Sequence, residues 1–216
     1  MNLIELTKTY LKSELKTAES GHDFQHACRV WKVAKHLADF YPEADRLCIE
    51  LAALLHDVAD SKFHDGDEEL GPKKAKSFLE KHKVEASKIV HIQKIIRYLS
   101  FKGGHNKGKF ESLELTIVQD ADRLDAIGAI GVARTFNYGG FKNHELYNPD
   151  RPPNLNKTAA EYKAGGDTTI NHFYEKLLLL KGLLNTKEAK RIAEKRHQFM
   201  EQFLDQFYEE WYSKDL

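Results

Sequence analysis

Residues 47–60 read LCIELAALLHDVAD. From Ile49 to Leu55 apolar side chains point to nearly every side of a helix, with Glu50 the one charge in the run. A helix that is apolar all round belongs at the centre of a fold. The helix expected over about Glu43–Asp57 is therefore placed there. Its end is unusual, because His56 and Asp57 follow directly on the apolar run. Burying such a pair is costly unless something compensates. Two readings stay open. One is a helix end reaching water, where the macrodipole favours histidine. The other is a pair of donors for a divalent cation. The carboxylate of Asp57 sits badly with the first, since the same dipole disfavours it.

Helical periodicity continues on both sides of this stretch, and no strand pattern emerges. Leu3, Leu6, Tyr10 and Leu11 form an apolar stripe over 2–18, and Val30, Val33, Ala34, Leu37 and Phe40 form another over 24–40, which Pro42 ends. Residues 58–71 are polar and glycine-punctuated. Further helices are expected over 72–82, 85–100, 112–136, 169–184 and 187–213, with loops at 103–109 and 138–168. The GAIG segment at 128–131 is expected to allow close helix approach. The reading is an all-α bundle of about seven to nine helices. It forms one domain over 1–216, with a site-bearing core at about 20–137 and the C-terminal helices packed on it.

Composition bounds the function. The chain has 216 residues, 41% hydrophobic and 31% charged, which excludes a disordered or collagen-like chain. Lys plus Arg is 33 and Asp plus Glu is 33, so no overall basic field exists to gather a nucleic-acid polymer or an anionic membrane. No window approaches the ~18 uncharged apolar residues of a membrane span. Cys28 and Cys48 make no disulfide framework and read as small buried hydrophobes, so a cytoplasmic location is expected.

Histidine and aspartate recur at separated positions. His26 opens HACRV, His56 and Asp57 close the apolar helix, and Asp120, Asp122 and Asp125 lie in QDADRLDAIG. Helical bundles build metal sites in this way, from side chains projecting inward off facing helices. Alone, the DADRLD run would be a charged helix face.

The order His, His-Asp, distant Asp resembles the HD-domain superfamily of metal-dependent phosphohydrolases. The stretches GHDFQHACRV (21–30), LLHDVADSKF (54–63), QDADRLDAIGAIGVARTFNYGG (119–140) and HFYEKLLLLKGLLNT (172–186) are similar to a bacterial subgroup of small nucleotide pyrophosphohydrolases. The resemblance implies His26, His56, Asp57 and Asp122 as metal ligands, with Asp120 the runner-up for the last. A mixed nitrogen and oxygen set suits Mn²⁺, Co²⁺, Ni²⁺ or Fe²⁺, and Mg²⁺ less well. Mn²⁺ is the cation expected.

Asp60 is the candidate base, one helical turn after Asp57, with Lys62 the first choice to meet phosphate. His22 and Asp23 are further catalytic candidates, although Asp23 serves equally as a helix N-cap. Arg29, Tyr138, Lys142, His172 and Lys176 are candidate nucleotide contacts, each also readable as a surface or packing residue. Arg123 is expected to be structural. His64, His82, His91 and His105 are not adjacent pairs, and a mononuclear site is preferred. The expected reaction is hydrolysis of nucleoside or deoxynucleoside triphosphates to monophosphate and pyrophosphate. A nucleotide monophosphatase, an alarmone hydrolase and a non-catalytic helical binding module are the alternatives. The aromatic positions Phe199, Phe203, Phe207 and Trp211 read as core or as the seam of a possible homodimer.

Overall fold

The computed structural model describes residues 2–16, 23–59, 67–99, 110–155 and 168–216. Among them lie nine α-helices and one 3-10 helix, with no strand. The chain is all-α, as the periodicity predicts. None of these helices is long and apolar enough to cross a membrane. The backbone divides into two compact units, Met1–Asp122 and Arg123–Leu216.

The first unit holds α1 (Leu3–Glu14), α2 (Phe24–Ala38), α3 (Arg46–Leu55), α4 (Leu70–Lys81), α5 (Ala86–Leu99) and most of α6 (Leu113–Asp125). Each of the first three helices starts at a side-chain cap. Asn2 accepts the Glu5 N–H at 2.9 Å, Asp23 that of His26 at 2.8 Å and Asp45 that of Cys48 at 3.1 Å. Such caps satisfy amides that no helical carbonyl can reach. Helix α3 is central, packing on α1, α2 and α5. Ile49, Leu51, Ala52, Ala53, Leu54 and Leu55 are wholly buried, each large side chain contributing about 1.5–3 kcal/mol of transfer free energy. Glu50 escapes the cost of burial by accepting the Trp31 indole N–H at 2.8 Å and meeting Arg46 Nε at 3.3 Å.

The second unit holds α7 (Gly128–Phe141), α8 (Asn171–Glu175), a 3-10 helix (Leu177–Leu183) and the long α9 (Lys187–Trp211). Three expectations are corrected here. The helix expected over 112–136 is two helices, because the chain turns at Gly128 with φ 76°, a conformation open chiefly to glycine. A Cβ at Gly128 would also lie 3.0 Å from the Arg196 side chain on α9, so the expected close approach is real at this glycine. The irregular segment expected from 138 begins later, since α7 runs to Phe141. The missing side chain of Gly139 makes room for Thr169, because a Cβ there would fall 2.3 Å from Thr169 Oγ1.

The helix expected over 169–184 is broken at Lys176, which has φ −142° and ψ −60°. Beyond it, Leu177 and Leu180 are buried, a spacing that suits three residues per turn. The aromatic positions of α9 are in part core. Phe203 packs on Phe136 and Phe173, and Phe207 on Tyr147 and Trp211.

Candidate metal centre

Three helices of the first unit bring the donors together. His26 is the third residue of α2, His56 follows the last residue of α3, and Asp122 lies in the last turn of α6. His26 Nε2 and His56 Nε2 are 3.1 Å apart. The Oδ2 atom of Asp57 lies 3.3 Å from each of these nitrogens. Asp122 Oδ1 is 3.5 Å from the first and 3.9 Å from the second. His26, His56 and Asp122 each offer a ligand atom within 4.8 Å of the others, and the shared approach of Asp57 Oδ2 adds a fourth donor. Asp120 is fully buried and does not join this group. Of the two aspartates weighed, Asp122 is the one at the cluster.

The site is graded from core to solvent. The side chains of His26 and His56 are 1% and 2% exposed, Asp57 is 16% and Asp122 is 35%. The imidazoles are held from behind, and access is on the Asp122 side.

His56 is oriented by its own helix. Its Nδ1 lies 2.8 Å from the Ala53 carbonyl oxygen. A carbonyl can only accept, so Nδ1 carries the proton and Nε2 is the atom presented to the cluster. This is the usual way an outer partner fixes a ligating imidazole. Burial works against protonation of His56, but the carboxylates of Asp57 and Asp122 more than offset it, raising its pKa to about 9. The cluster therefore stabilises positive charge at this spot. Two imidazole nitrogens grouped with an Asp122 oxygen, and an Asp57 oxygen beside both nitrogens, are the donor chemistry of a borderline divalent cation. The residues fit such an ion.

His26 is positioned by its cap. Asp23 Oδ1 accepts the backbone N–H of His26 itself. Of the two uses weighed for Asp23, the cap is the one the geometry displays. The carbonyl of Ala53 was not legible beforehand, since a backbone acceptor leaves no mark in residue identity. Arg29 lies one turn after His26 and is partly buried. His22, Asp60 and Lys62 fall outside the described residues, as do His64 and His105.

Other histidines are engaged elsewhere. His82 Nδ1 meets the Phe78 carbonyl at 2.8 Å, and His91 Nε2 lies 3.0 Å from Glu114 Oε2. In the second unit Arg123 donates to the Leu183 carbonyl at 2.6 Å, the structural use expected of it. Arg134 pairs with buried Asp125 at 2.9 Å. Tyr138 meets the His144 ring edge-on, and Lys142 Nζ lies 5.9 Å from the Tyr138 ring centre. His172 is in α8, and Lys176 is at the break that follows it.

The HD-domain family matches residues 23–127, from the Asp23 cap to the end of α6 and just past it. The Bacillus subtilis protein YpgQ is 36% identical over 203 residues, covering 91% of this chain and 87% of its own length. Its crystal structure in complex with ADP superposes with a TM-score of 0.75 over 96% of this chain and 97% of that one. A Bacillus thuringiensis HD-superfamily hydrolase is 46% identical, with a TM-score of 0.74 and 96% of each chain covered. A Lactobacillus plantarum protein is 38% identical, with a TM-score of 0.84 and 97% of each covered. A chain matched by that family across its donor-bearing helices, and by such relatives over nearly its whole length, belongs to the HD-domain superfamily of metal-dependent hydrolases.

Proposed function

We propose that this protein hydrolyses a phosphoanhydride bond of a nucleotide, releasing pyrophosphate from nucleoside or deoxynucleoside triphosphates. The observation that carries the reading is the approach of Asp57 Oδ2 to within 3.3 Å of two buried imidazole nitrogens. That arrangement favours a cation, and the YpgQ structure with ADP favours a nucleotide as the molecule brought to it. His26, His56, Asp57 and Asp122 would hold the ion, for which Mn²⁺ is our choice on its mixed nitrogen and oxygen preference. When bound, such an ion supplies Lewis acidity to a phosphoryl oxygen and a lower pKa to an attacking water.

The remaining work belongs to the chain. The Ala53 carbonyl keeps Nε2 of His56 facing the reaction, and the Asp23 cap holds His26. The buried imidazole side excludes bulk water, while the more exposed Asp122 side admits substrate. Asp60 is proposed as the base and Lys62 as a phosphate donor. His22 remains a further acid–base candidate. Arg29, Tyr138, Lys142, His172 and Lys176 are proposed nucleotide contacts.

The test is an assay of the purified protein with Mn²⁺ against NTPs, dNTPs and monophosphates, reading pyrophosphate separately from phosphate. Pyrophosphate release from triphosphates is expected. Phosphate released from monophosphates alone would replace this reading with a monophosphatase. No turnover on any of them with metal bound would reject it.

A further inference from the structure

Helix α6 carries Asp122 in its last turn, and the chain closes that turn without the left-handed residue that commonly ends a helix. The first positive φ comes only at Gly128. The N–H groups of Ala126 and Ile127 instead donate to the Arg123 and Leu124 carbonyls at 3.2 and 3.4 Å, the tighter i to i+3 pattern of a helix terminus. The second of these bonds is long. What secures the turn comes from α9. Half-buried Arg196 donates from Nη1 to the Leu124 carbonyl. Its stem lies against Gly128, where a Cβ would fall 3.0 Å from both Arg196 Cβ and Cγ. Burial lowers the pKa of this guanidinium, with Asp125 opposing the shift. The cation stands at the negative end of α6, where the helix dipole favours it.

We infer that Arg196 is a positioning residue for the metal centre, acting through the Leu124 carbonyl to keep Asp122 within reach of the two imidazoles. Asp122 and Leu124 share one helical turn, so loosening of the backbone at Leu124 moves the carboxylate. Asp122 is also the donor with the least packing of its own. Its side chain is 35% exposed, the most of the four, and its Oδ1 stands farthest from the imidazole nitrogens, at 3.5 and 3.9 Å. His56 has the Ala53 carbonyl to orient its ring and His26 has the Asp23 cap at its own amide. Asp122 depends on where its helix places it. Arg123 and Arg134 tie side chains of the same turn, whereas Arg196 binds its backbone. The inference rests on the metal reading of the four donors and not on the choice of substrate.

Titration of the protein with Co²⁺ tests it, followed by calorimetry and by the visible absorption of the bound ion. Nitrogen and oxygen sites hold Co²⁺ more tightly than Mn²⁺, which keeps weakened variants measurable. Arg196→Met preserves the stem and removes the donors. It should weaken Co²⁺ binding about tenfold, the lower end for an outer positioning group, with helicity near wild type by circular dichroism. In an Asp122→Ala background the same substitution should weaken binding no further, because the ligand it acts through is gone. Thr186→Ala is the control for stability alone. It removes the cap of the same helix, where Thr186 Oγ1 accepts the Ala189 N–H at 3.3 Å. It should lower the melting temperature of the metal-free protein by about 2–4 °C and leave Co²⁺ affinity unchanged. Wild-type affinity in Arg196→Met would overturn the inference and leave the metal reading standing. So would an undiminished loss in the Asp122→Ala background, or a Thr186→Ala variant that weakens binding as much as Arg196→Met. A wild type that binds no Co²⁺ would overturn both readings.

Discussion

Two clusters in the first unit both set histidine against carboxylates and behave differently. One is His26, His56, Asp57 and Asp122. The other is Asp45, Lys88, His91 and Glu114. In the second, each carboxylate oxygen faces its own donor. Glu114 accepts the Asp45 N–H at 3.0 Å through Oε1 and faces His91 Nε2 at 3.0 Å through Oε2. Asp45 caps α3 with Oδ1 and meets the Lys88 ammonium with Oδ2. In the first cluster, two imidazole nitrogens face each other, and one carboxylate oxygen faces both. The lesson concerns matching. A cluster whose donors and acceptors pair off one by one is a clamp. A cluster whose lone pairs converge on one point is arranged for a cation from outside the chain.

The largest expected effect breaks the first cluster. His56→Ala or Asp57→Ala should lower metal content and turnover by more than about a hundredfold, the upper range for losing an outer partner alone, with helicity near wild type. Metal analysis and the pyrophosphate assay read this. Unchanged values in both variants would sink the metal reading. Asp23→Ala comes next. It removes the cap on the helix that carries His26, so it should cost about 1 kcal/mol of stability. Metal affinity should fall about tenfold in the same protein, the low end for an outer positioning group. Asp23→Ser keeps a capping oxygen and should restore both readouts.

Asp45→Ala sharpens the comparison from the other side. It should cost about 1–2 kcal/mol in a denaturation midpoint, yet leave metal content and turnover unchanged. The smallest effect is a pH dependence. Burial tends to raise the Glu114 carboxyl, but the Asp45 N–H and His91 more than offset it and hold it below its usual value. Asp45 is likewise held low, with Lys88 and the Cys48 N–H outweighing burial. Both contributions are therefore fully present above the unfolded carboxylate range near about pH 4. They are lost as pH falls through the lower folded values. Melting temperature measured from pH 7 downward should drop more steeply through that range in the wild type than in Glu114→Gln. Parallel curves would remove Glu114 from the clamp.

Much of this was legible in residue order. The apolar run of α3 announced a central helix because no face of it could meet water cheaply. His56 and Asp57 stood out because they extend that run with polarity. The break at Gly128 was harder to see. Glycine there reads equally as a small residue for packing or as a turn, and the structure shows that it is both. The 3-10 helix at Leu177–Leu183 was hidden because a run of leucines satisfies any helical period.

The amino-acid order by itself determined the all-α class and the buried position of α3, since periodicity and local cost are properties of neighbouring residues, while the four donors worth testing came from its resemblance to the HD-domain superfamily. Tertiary structure alone decided which aspartate of DADRLD reaches the histidines and which nitrogen of His56 faces them. It also decided that His91 belongs to a clamp and not to the metal centre. Those outcomes depend on distances between side chains far apart in the chain, and such distances are set by packing.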